Sequence, residues 1–260
     1  QTIRTVCLMK CHPDVFRLSK RLNLYAFIPG VIASIVYLCT LSRGIVPGTS
    51  ATLTAAAVGL ISLPGTAHPL FALIARSIAS LDVFTLPTRM SLFSALCATL
   101  CAILFYRLVA RFILFSACEG EKRSSLVCDH SAMTDDELSP EVIRHNQRTF
   151  WIAVAGGVAA SFFLILAAPT WSAATQLDTG FFDLLLALGS FSFFPLPMAK
   201  GHILRLAASA FFFSLGLFES VAFLFLTPVF GFFLFCHWVA TLRRVRLLLG
   251  LLLAALSSSA

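Results

Sequence analysis

The chain has 260 residues, of which 58% are hydrophobic and only 12% charged, with a formal net charge of +7 at pH 7. Globular chains normally carry about a quarter of their residues charged, so this composition excludes a soluble domain and predicts an all-α, polytopic helical membrane protein. The positive charge is distributed as a topology signal rather than as a footprint for nucleic acid, and no nucleic-acid partner is expected.

Residues 1–23 are basic and amphipathic and form a cytoplasmic segment ahead of the first span. No small-residue cleavage site follows, so this start predicts an uncleaved signal-anchor. Crossing the hydrocarbon core takes roughly 20 apolar residues. That places spans near 24–41, 91–116, 150–168, 180–198, 203–218 and 221–239, followed by a shorter apolar run at 247–257. The expected total is about six to seven transmembrane helices, all within one membrane domain over 24–260. The chain opens on Gln1 and stops at "LLLAALSSSA", so the expectation is a piece of a longer protein, truncated at its C-terminus. With the N-terminus cytoplasmic, every Lys and Arg falls on the inner side except Arg43, Arg76 and Arg89, as the positive-inside rule requires.

Two loops stand apart. The outer loop, 42–90, is long, nearly uncharged and rich in Ala and Leu. Within it, residues 49–61 and 68–81 each permit a short helix, separated by the breaker "LPGT" at 63–66. Neither is long enough to span, so both are predicted to lie along the outer face. The cytoplasmic loop, 117–148, is the only strongly polar stretch, and its "TDDE" at 134–137 has capping-box spacing. It is read as a solvated connector.

The eight cysteines form no disulfide framework, because Cys7, Cys11, Cys118 and Cys128 fall on the reducing side. Cys39, Cys97, Cys101 and Cys236 lie in spans. Cys7, Cys11 and His12 are potential ligands, but no second pair completes four-coordination. No metal site is expected, and no cofactor is indicated.

The outer loop and second span, "GTSATLTAAAVGLISLPGTAHPLFALIARSIASLDVFTLPTRMSLFSALCATLCAILFYRLV", resemble those of bacterial membrane proteins related to protein O-mannosyltransferases, within the GT-C glycosyltransferases. The family pattern runs Gly-Asp-Ser-Gly-Glu-Leu, then a Pro-Gly turn ending in Pro-Leu-Tyr, then an Arg and Asn-Leu-Leu-Ser-Ala-Leu. This chain has Gly48-Thr49-Ser50-Ala51-Thr52-Leu53, Pro69-Leu70-Phe71, Arg89 and Ser91-Leu92-Phe93-Ser94-Ala95-Leu96 at those places. A second block, "APTWSAATQLDTGFFD", is similar to a Pro-Phe-Trp-Ser-Gln-Ala-Thr stretch followed by Glu-Val-Tyr, with Asp178 as a shortened carboxylate. A third, "GLFESVAFLFLTP", resembles a Gly-Leu segment followed by Asn-His, with Glu219 and Ser220 in those two places.

The resemblance implies a mannosyltransferase-like enzyme of the bacterial inner (plasma) membrane. It would move a sugar from a polyprenyl-phosphate donor to an acceptor on the outer side, with the loop after the first span roofing the site. Membrane lipids and the lipid-linked sugar are the implied partners. Transfer needs a base for the acceptor hydroxyl and groups that hold the departing phosphate. The family's loop Asp and Glu are Thr49 and Thr52 here, degenerate positions, because a hydroxyl is no base near neutral pH. Asp178 is then the candidate base, with Glu219 and Asp82 as further outer carboxylates and Asp183 starting the next span. His68, Arg76, Arg89, Trp171 and Glu219 are candidate substrate-binding residues, the arginines for phosphate. Structural roles stay open for each: helix-end capping for the carboxylates, turn packing for His68 and interfacial anchoring for Trp171. Two functions remain open as well, the transferase and a non-catalytic protein of the same fold that binds a lipid-linked ligand or a partner. A transporter ranks last, because the chain lacks inverted repeats.

Overall fold

A computed structural model describes residues 21–44, 49–61, 68–125, 140–194 and 202–239, the side chains of 49, 118–125, 140–146 and 202 excepted. The described residues form helices and no strand. In chain order they are α1 (Phe27–Cys39), α2 (Thr49–Ala57), α3 (Pro69–Ala79), α4 (Leu86–Ser125), α5 (Pro140–Leu166), α6 (Ala168–Thr175), α7 (Gly180–Phe193), α8 (His202–Glu219) and α9 (Ala222–Val239).

Among the described residues, four stretches are long and apolar enough to cross a membrane: Arg21–Cys39, Leu86–Ala117, Gln147–Leu166 and Ala222–Val239. The expected count of six to seven is therefore not reached by length and composition alone. α7, with 14 residues, extends only about 21 Å at 1.5 Å per residue, less than the hydrocarbon thickness. The run 247–257, the N-terminal residues 1–20, the "LPGT" breaker and the "TDDE" box lie outside the described residues.

Local chemistry explains where the short helices stop and start. α2 ends in a Schellman arrangement: Gly59 at φ +80° donates to Ala56 O and Leu60 donates to Ala55 O. Glycine takes that left-handed turn without a Cβ penalty. α3 begins at Pro69, whose missing N–H costs nothing in a first turn. The span expected over 150–168 is one helix to within two residues, Gln147–Leu166 of α5, and a separate short helix follows it. α5 stops at Leu166, and α6 starts beyond Ala167 with Pro169 in its first turn.

α4 is the central post of the bundle, packed by α1, α5, α6 and α7, while α8 pairs with α7. Small residues let these helices approach, as in membrane bundles generally. Gly30 faces Ile103, Gly157 faces Tyr106 and Ala110, and Gly189 faces Phe212. Buried hydroxyls are spent on carbonyls, Ser161 on Ala102 O and Ser209 on Ser190 O. The outward faces of α1, α8 and α9 expose large apolar side chains such as Val31, Leu204 and Phe225, as a lipid-facing surface would.

The His68 N–H bond to the Glu219 carbonyl and the Asp178 N–H bond to Ser94 Oγ bring the C-terminus of α8, the start of α3, the approach to α7 and the N-terminal part of α4 to one end. A backbone bond from Ser42 N–H to Thr175 O ties the segment after α1 to α6 there.

Candidate functional site

The loop-bearing end of the bundle brings together three ionisable residues from three helices. His68 directly precedes α3, Asp183 lies in the first turn of α7, and Glu219 closes α8. Glu219 is 1% exposed. Its Oε2 accepts from the Leu70 N–H at 2.7 Å and its Oε1 from the Phe71 N–H at 3.1 Å. These are orphan donors of the first turn of α3, and a carboxylate there also meets the positive end of the helix dipole. The Glu219 backbone carbonyl accepts from the His68 N–H at 3.2 Å. One residue thus fixes both the approach to α3 and its first turn.

His68 is held at φ 65° and ψ 55°, a left-handed conformation uncommon for a residue with a Cβ. In this pose its Nδ1 lies 3.4 Å from Glu219 Oε1 and 3.5 Å from Asp183 Oδ1. The His68 Nδ1 and Asp183 Oδ1 atoms are buried with no hydrogen-bond partner. Glu219 is the last residue of α8, just beyond the expected span 203–218. Burial pushes its carboxyl above the usual carboxylate range, opposed by the Leu70 and Phe71 N–H groups and by His68. The three candidate ligand atoms lie within 4.8 Å of one another, so His68, Asp183 and Glu219 are the described residues able to hold a cation.

Of the residues singled out in the sequence, His68 and Glu219 meet in this cluster. Asp178 is half-buried near its edge. Its Oδ1 accepts from the Gly180 N–H at 2.6 Å, and its own N–H donates to Ser94 Oγ at 3.2 Å. Its charge is felt at Asp183. Arg89 is spent elsewhere: Nη1 donates to Ala79 O at 3.1 Å and to Ile78 O at 3.5 Å, closing the C-terminus of α3. Arg76 and Thr52 are exposed, and Thr49 is the first residue of α2, its side chain outside the described set. Trp171 donates from Nε1 to Thr40 Oγ1 at 3.1 Å.

Asp183 is the member that sequence reading marked only as the start of a span. Its signal was an ionisable residue inside "GFFDLLLALG", where charge is costly and marks function or pairing. A groove of about 270 Å³ opens between α1 and α4, lined by Gly30, Ser34, Thr99 and Ile103 among others, and shares no residue with the cluster. No family model matches the chain, and no curated protein or solved structure matches it.

Proposed function

We propose that the protein is a GT-C-like membrane glycosyltransferase that moves a sugar from a polyprenyl-phosphate donor to an acceptor hydroxyl at the loop-bearing end of the bundle. On this reading α7 and α8 (residues 203–218) complete six to seven crossings, the N-terminus is cytoplasmic, and the membrane is a bacterial inner membrane. The observation that carries it is the convergence at one end of Asp178, the partly buried His68–Asp183–Glu219 cluster and the short helices α3 and α6. A carboxylate beside an apolar, lipid-facing bundle suits a substrate whose tail stays in the membrane while its head reacts at the surface.

The Asp178 carboxylate takes the proton from the acceptor hydroxyl. The acceptor oxygen then bonds to the anomeric carbon as the bond from that carbon to the phosphate oxygen breaks. The polyprenyl phosphate leaves with the electron pair, and on this reading Arg76, exposed on α3, is the cation that receives it.

A specific observation favours a second reading, a non-catalytic protein of the same architecture that binds a lipid-linked ligand or a partner. Nη1 of Arg89 is committed to carbonyls, and Thr49 and Thr52 stand where the resembling family has its acids. The test is purified protein in proteoliposomes with a labelled polyprenyl-phosphate mannose and a hydroxyl acceptor. Transfer that falls at least 100-fold in Asp178→Asn, with donor binding retained, supports the enzyme. Neither binding nor turnover, in wild type or in Thr49→Asp, overturns it, and binding without turnover selects the second reading.

A further inference from the structure

We propose that His68 Nδ1, Asp183 Oδ1 and Glu219 Oε1 together bind a divalent transition cation of the zinc type. The inference is independent of the transferase reading, because it concerns binding to the protein without any donor.

Distance is the first argument. Nδ1 stands 3.4 Å from one carboxylate oxygen and 3.5 Å from the other. A protonated imidazole acting as an internal counter-ion would draw one oxygen to about 2.7–2.9 Å. Here Nδ1 is nearly equidistant from both, at the long end of contact with each. Two ligands on a tetrahedral ion with bonds of about 2.0–2.2 Å lie roughly 3.3–3.6 Å apart. Both His68 edges have that length, and the third edge lies within 4.8 Å.

Unmet valence is the second argument. His68 Nδ1 and Asp183 Oδ1 are both buried without a hydrogen-bond partner, although buried polar atoms are nearly always paired. Both belong to the same three-atom set. A cation among the three would satisfy both atoms at once and offset two carboxylate charges in a low-dielectric setting.

Support of the ligands is the third. Glu219 is oriented by the Leu70 and Phe71 N–H groups, the kind of outer contact that fixes a metal ligand. One imidazole nitrogen with two carboxylate oxygens suits Zn²⁺ or Mn²⁺. Ca²⁺ and Mg²⁺ prefer all-oxygen shells, and Mg²⁺ dehydrates reluctantly. Three protein ligands leave a further position for water or substrate.

The experiment uses the full chain in nanodiscs, stripped with a chelator, in a Cys7→Ser/Cys11→Ser background so that those thiols contribute nothing. Calorimetric titration with Zn²⁺ is expected to give one ion per chain. X-ray absorption at the zinc edge should show a nitrogen/oxygen shell with imidazole scattering and no sulfur. Asp183→Asn and His68→Ala are each expected to weaken binding at least 30-fold, with Ca²⁺ and Mg²⁺ failing to compete. If a variant does not fold, the absorption spectrum of the parent still decides. No stoichiometric Zn²⁺, a sulfur-containing shell, or affinity unchanged in folded Asp183→Asn would each overturn the proposal.

Discussion

Glu219 Oε2 accepts a 2.7 Å hydrogen bond from the backbone N–H of Leu70, 149 residues earlier in the chain. The bond makes the last residue of α8 the cap of α3, so a short loop helix is fixed by the bundle beneath it. His68 bridges the same two elements, since its N–H donates to the Glu219 carbonyl.

Removing that cap should loosen α3 selectively. Glu219→Ala strands two N–H groups in a buried place, where unsatisfied donors cost about 1–3 kcal/mol each. Hydrogen exchange at Leu70 and Phe71 should quicken by at least tenfold, with the amides of α4 unchanged. Glu219→Gln keeps an acceptor oxygen and should lie between. Equal exchange in all three proteins would refute the capping role.

Packing between α8 and α9 predicts a contrast between two glycines. A Cβ added at Gly216 would overlap the ring of Phe223, whereas one added at Gly231 meets nothing within 4 Å. Both sit in helices, so intrinsic propensity favours Ala at each. Gly216→Ala should therefore destabilise by about 1–3 kcal/mol through overpacking, while Gly231→Ala is neutral or slightly stabilising. Thermal denaturation in one detergent gives the comparison, and similar midpoints for the two variants would contradict the packing described.

Arg89 closes the C-terminus of α3 through Ala79 O and Ile78 O. Arg89→Ala should lower stability by about 1 kcal/mol and change the affinity for a polyprenyl-phosphate sugar less than twofold. Arg76→Ala should do the reverse, weakening donor binding with little effect on the melt. A large loss of donor affinity in Arg89→Ala would return that residue to the phosphate.

The proposed orientation puts the loop 42–90 outside and 117–148 inside. In a background lacking native cysteines, Asp82→Cys should react with an impermeant maleimide applied from the outer side, and Ser125→Cys only after the membrane is opened. Labelling of Ser125→Cys from the outer side alone would invert the topology.

Hydropathy and the charge bias are local properties. A run such as 91–116 is apolar whatever surrounds it, so the all-helical membrane class and the two short helices after the first span were legible from residues alone. Pro69 acts through its own backbone, so the start of α3 could be read nearly as well, whereas the expected end of α2 at 61 ran past Gly59, whose left-handed turn stops the helix at Ala57. The short helix α6 after the span was less visible, because the composition stays apolar across Ala167 and only the backbone turns. The meeting of His68, Asp183 and Glu219 had no local signature. Each residue closes or opens a different helix, and their juxtaposition depends on how α7 and α8 pack beneath α3. Arg89 is the complementary case: its sequence position suggested a phosphate, and the tertiary structure turned its guanidinium to the end of α3. Hydrogen-bond valence explains the difference, because a donor or acceptor is committed by whichever partner folding brings within 3 Å or so, and that partner can lie anywhere in the chain.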